Sequence, residues 1–168
     1  DLATNSDMYL NLYYVAETMT QSYASPPSVA GWTAYYQAPA FSKLWVNSTT
    51  IKNRFDLANY ITVYTGIPIN GFNFKVNALQ LVDGLSFPDN AVAVIDDLCT
   101  VFFPKSLSVA QKTLLKLILT GGLPEFEWTI DYNAYAADPT NIVVSTPVRT
   151  KVEQVLARIF QMPEFQTI

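Results

Sequence analysis

The chain has 168 residues, 50% of them apolar, 14% aromatic and 14% charged, and its 10 basic against 14 acidic side chains leave a net charge of −4. A chain of this length and hydrophobicity is not a disordered one, and it can bury one core without a metal or disulfide staple. The acidic balance argues against a nucleic-acid footprint, the lack of histidine removes every imidazole base or ligand, and the single Cys99 removes any internal disulfide.

The chain begins Asp1-Leu2-Ala3 and reads as a piece of a longer protein. No basic stretch followed by an apolar one marks a signal peptide. No apolar run reaches the roughly 18 residues of a membrane span; the longest, Thr113–Leu119, is broken by Lys116. A first helix is expected over Met8–Tyr23, capped by Asp7, with Met8, Leu12, Val15 and Met19 on one face. Ser25-Pro26-Pro27 ends it, and Ala24–Gln37 reads as an ordered loop stiffened by its prolines. Pro39–Val46 is expected to form a short helix. The clearest helix starts at Asn47 or Ser48, buries Ile51, Phe55, Ala58 and Ile61, and stops at Gly66. Phe72, Phe74 and Val76 alternate with polar residues, which predicts one short strand. Leu79–Val82 is too short to assign.

The second half reads as helical throughout. Asp89 is expected to cap a helix with Val92, Ile95, Leu98 and Phe102 on its buried face, ended by Pro104. Ser108 and Gln111 form a capping-box pattern for a helix closed by Gly121-Gly122, a pair read as a helix end because a phosphate cradle would precede a helix. Glu125–Ala136 is helical and ends before Pro139. Thr146-Pro147 is expected to open the last helix, which buries Val148, Val152, Val155 and Ile159 and stops at Met162-Pro163. The reading is one mainly α domain over residues 1–168. It is an irregular bundle of about six helices with long ordered loops and at most one small β-hairpin.

Two constellations are candidates for function. Trp32, Tyr35, Tyr36, Trp45, Asn47 and Arg54 form an aromatic block next to a polar helix start. Aromatic faces stack on sugar or peptide, and helix-start N–H groups accept an anion. The same pattern serves a packed loop in which the tryptophans anchor a core and Asn47 is a cap. Glu125, Glu127 and Asp131 form the second group. Two of them share a helix face, and paired carboxyls are what glycoside hydrolysis uses. Acids also favour a helix start through its dipole. No catalytic triad elbow, calcium-loop spacing or cofactor motif is present, so no cofactor and no metal site is expected.

The block Pro26-Pro27-Ser28-Val29-Ala30-Gly31-Trp32, Ala34-Tyr35-Tyr36-Gln37, Leu44-Trp45-Val46-Asn47-Ser48 and Arg54 resembles the bacterial family known as domain of unknown function 1800. Weaker echoes lie at Gly122–Thr129 and Met162–Gln166, and Ala34-Tyr35-Tyr36-Gln37 looks most like its Bacteroidetes branch. The resemblance implies the C-terminal third of an exported or envelope protein, and it carries over no catalytic residue. The expected partners are the N-terminal part of the same protein or an oligomer mate, with carbohydrate or peptide as ligand. Two functions follow as expectations: a non-enzymatic binding, interaction or scaffold domain, or a carboxylate-based hydrolase acting on polysaccharide or envelope polymer. The low charged fraction also predicts a large exposed apolar patch, placed on the first helix.

Overall fold

The computed structural model describes residues 2–22 and 46–166. The aromatic loop and all but the last residue of the short helix expected at Pro39–Val46 therefore lie outside the described residues. The described chain is mainly α, with eight helices and one two-stranded antiparallel hairpin. By its contacts it divides into two compact units, residues 1–75 with 166–168, and residues 76–165.

The first unit holds α1 (Leu2–Thr18), α2 (Ser48–Thr62), β1 (Ile67–Ile69) and β2 (Phe72–Phe74). The first helix begins well before the expected Met8, so Asp7 is not its cap. Instead the Asp7 carbonyl accepts from Asn11 Nδ2 at 2.8 Å, and its carboxylate accepts from the Asn70 amide. Helix α2 starts where the sequence places it. The Asn47 side chain accepts from the Thr49 and Thr50 N–H groups, and the Thr50 hydroxyl takes the Asn47 N–H, a closed capping box.

Helix α2 ends at Thr62 rather than at Gly66, and Gly66 serves the hairpin instead. It sits at φ +92°, and a Cβ there would lie 2.9 Å from the Phe74 carbonyl oxygen. Glycine is thus required by both backbone angle and close approach. The expected strand, Phe72–Phe74, finds its partner in Ile67–Ile69, with Ile67 opposite Phe74 and Ile69 opposite Phe72. The turn is Asn70-Gly71, both at positive φ (48° and 82°). That is the strongest short hairpin signal a sequence carries.

The second unit contains the hydrophobic core, built from Ala78 to Met162. Its elements are α3 (Ala78–Asp83), α4 (Ala91–Phe102), α5 (Val109–Thr120), α6 (Glu125–Ala137), α7 (Ile142–Gln161) and the short α8 (Pro163–Gln166), whose last residue is grouped with the first unit. Helix α7 is the central strut and packs against α3, α5 and α6. Its face Val148, Val152, Val155 and Ile159 is fully buried, as the 3.6-residue spacing requires. Its start differs from expectation. Asn141 caps it and Pro147 lies inside the helix, not at its first turn. A proline there forgoes one backbone hydrogen bond.

Helix α4 is capped by Asn90 rather than Asp89, and it buries Ala91, Val94, Ile95, Leu98 and Cys99 while Val92 is exposed. Cys99 is a free, buried thiol whose pKa burial pushes up, which fits a small apolar packing group. Helix α5 has the expected capping box between Ser108 and Gln111, and Gly121 and Gly122 close it in left-handed conformation. Phe102, Phe103, Phe160 and Phe165 pack edge to face or tilted, with ring centroids 5.0–6.4 Å apart.

Candidate binding site

Of the six residues of the aromatic block, two lie within the described chain. Asn47 is spent on capping α2. Arg54, half-buried, donates from Nη1 to Gln166 Oε1 at 3.1 Å, while its Nε is buried without a hydrogen-bond partner. Burial pulls its guanidinium below the usual pKa. Trp32, Tyr35, Tyr36 and Trp45 lie outside the described residues.

The three candidate carboxylates sit at the start and middle of α6, and two of them are taken by lysines from different helices. Glu125 accepts from Lys116 of α5 at 2.5 Å, and Asp131 accepts from Lys151 of α7 at 2.5 Å. Each of these two carboxylates thus meets an ammonium rather than a second carboxyl. The two acids beside each other in α4 also diverge. Asp96 pairs with Lys112 of α5 at 2.7 Å, and Asp97 accepts from the Ser86 N–H at 2.9 Å. Among the described residues no group of three or more acidic or cysteine side chains is placed to hold a metal ion.

One polar cluster was not anticipated. Asp83, at the end of α3, accepts from the Tyr132 and Tyr135 hydroxyls of α6 at 3.0 and 2.7 Å. Burial, then Asp83 itself, pushes both phenols up to about 12. Trp128, one turn before Tyr132, donates its indole N–H to the Pro88 carbonyl at 2.9 Å, and the Thr129 hydroxyl donates to the Asp89 carbonyl at 2.8 Å. These bonds bind α6 to the segment between α3 and α4. They are an anchoring arrangement: two neutral phenols with raised pKa values are poor bases at neutral pH.

An open concave site lies in the first unit. A groove of about 500 Å³ is lined by Val15 and Thr18 of α1, Asn53, Asp56, Leu57 and Tyr60 of α2, and Ile67 and Pro68 of β1. Asn53 Nδ2 donates to the Thr18 carbonyl at 2.7 Å, which fixes the end of α1 against α2. Tyr60 is half-exposed, and Tyr64 stands edge-on to it at 5.5 Å and 81°. Exposed aromatic side chains concentrate in this unit. Tyr9, Tyr13, Tyr14, Tyr60, Tyr64, Phe72 and Phe74 are exposed here, against Phe87 and Phe126 in the second unit. Leu10 and Leu12 add to the exposed apolar side chains of α1, the helix on which an apolar patch was expected. Sequence spacing missed the groove because its lining comes from three elements. The Asn70-Gly71 turn, which brings β1 into a hairpin, was the available signal.

No family model, no curated protein and no solved structure matches the chain. No helix among the described residues is long and apolar enough to cross a membrane.

Proposed function

We propose that this chain is a non-enzymatic binding domain that takes its ligand in the α1–α2–β1 groove. The observation that carries the reading is the groove itself: about 500 Å³, floored by apolar side chains, edged by a half-exposed tyrosine and a few polar groups, in the unit richest in exposed aromatics. Ligand sites have this size and composition. The residues Pro26 to Arg54, through their family resemblance, are what supports placing the domain in a larger exported bacterial protein. The hydrolase alternative draws no support from α6, where Glu125 and Asp131 are each neutralised by a lysine.

The test is an amide NMR titration of the chain with oligosaccharides and short peptides. A ligand should shift the amides of Val15, Thr18, Leu57, Tyr60 and Ile67 together, and Tyr60→Ala should weaken it by about tenfold or more, the scale of one aromatic contact. Release of reducing ends from an envelope polysaccharide, abolished by Glu127→Gln, would overturn the binding reading in favour of the enzyme.

A further inference from the structure

We infer that the ligand of this groove is an organic cation, an apolar body carrying one protonated amine or guanidinium; this rests on the binding reading above and adds the charge of the ligand. The argument begins with which hydrogen-bonding groups of the lining are already used. The Asn53 amide spends a donor on the Thr18 carbonyl at 2.7 Å, and the Thr18 hydroxyl donates to the Val15 carbonyl at 2.7 Å. Asn53 Oδ1 and the Asp56 carboxylate bring acceptors, and the second Asn53 N–H and the Tyr60 hydroxyl are the side-chain donors that remain on the lining. Among these lining residues the one formally charged side chain is Asp56, an anion.

The local field has the same sign. Thr18 is the last residue of α1, so that helix brings its negative end to the groove, and no basic residue occupies its last turn. A cation that neighbours the groove, Lys52, is paired with Asp56 one turn away on α2, with side chains 73% and 45% exposed. An ion pair that open contributes little and is readily exchanged for another. A ligand ammonium at Asp56 replaces Lys52 there, while the Lys52 amine returns to water.

The remaining lining fits the rest of such a molecule. Val15, Leu57, Ile67 and Pro68 take an apolar body, and the Tyr60 ring, steadied by Tyr64, offers the aromatic face to which cations are drawn. An anion meets the opposite: a carboxylate and a helix C-terminus.

The test compares three small probes by amide NMR on the full chain at low salt: 2-phenylethylammonium, phenylacetate and benzyl alcohol. The ammonium should shift Val15, Thr18, Leu57 and Ile67 and bind about tenfold or more tighter than phenylacetate. Asp56→Asn, at a half-exposed position, should abolish that preference. Lys52→Ala should tighten the ammonium by removing its competitor. Phenylacetate binding as tightly as the ammonium, or a preference that survives Asp56→Asn, would overturn the inference. Benzyl alcohol binding with no discrimination by charge sinks the cation and leaves the binding reading standing. Silence from all three probes at these amides sinks the cation as well, and the oligosaccharide and peptide titration then judges the binding reading independently.

Discussion

Trp128 is the largest fully buried side chain of the second unit, and its indole N–H holds the Pro88 carbonyl at 2.9 Å. Two losses follow from Trp128→Ala. Removing a buried Trp costs about 3–5 kcal/mol in transfer and cavity terms. Leaving the Pro88 carbonyl without its donor adds about 1 kcal/mol, the low end of the range because Pro88 is only half-buried. The sum, about 4–6 kcal/mol, is a large share of the 5–15 kcal/mol or so that holds a domain together. Trp128→Phe separates the terms, since it keeps most of the ring volume and loses the donor; it should cost about 1–3 kcal/mol. The assay is native-state amide exchange at Val152, Val155 and Leu156, buried on α7, because those amides open only when the core of their own unit opens. At about 1.4 kcal/mol per decade, Trp128→Ala should speed their exchange by about a thousandfold or more and Trp128→Phe by about ten- to a hundredfold. Acceleration below about tenfold in Trp128→Ala would refute the claim that this indole is the keystone of the core.

Two further outcomes follow. Tyr132 and Tyr135 ionise at about 12 in the folded chain against 10.0 for a free phenol, so the stability they confer is intact below about pH 10 and is lost as pH rises through 12. Tyrosinate absorbance should show these two of the ten tyrosines titrating late and together with loss of helix, and Asp83→Asn should bring their midpoint down; one common step for all ten would contradict the arrangement. Gly66→Ala should cost about 1–3 kcal/mol, since it forces a side chain into φ +92° and against the Phe74 carbonyl, and cross-strand contacts between Ile67 and Phe74 should weaken in its NMR spectrum; an unchanged hairpin would show that the approach relaxes without strain.

The sequence by itself determined the mainly α class, the start of α2, the capping box of α5, the glycine end of α5 and the valine face of α7. Each of these is decided within one or two helical turns, by a side chain three or four residues from its partner, so no distant part of the chain is needed to read it. Element starts were less legible where two neighbours compete for one role. Asn90 takes the cap beside Asp89, and Asn141 starts α7 a turn and a half before Pro147, because packing of the helix decides which candidate stands at its end. The functional geometry lay further out of reach. Asp83 meets two tyrosines about fifty positions along the chain, and the groove joins Val15 to Asp56 and Pro68. The α6 carboxylates looked like a pair along the helix until Lys116 and Lys151 reached them from two other helices. Spacing along the chain specifies which residues share a face; only the tertiary structure decides what that face meets, because burial and charge compensation depend on neighbours remote in sequence.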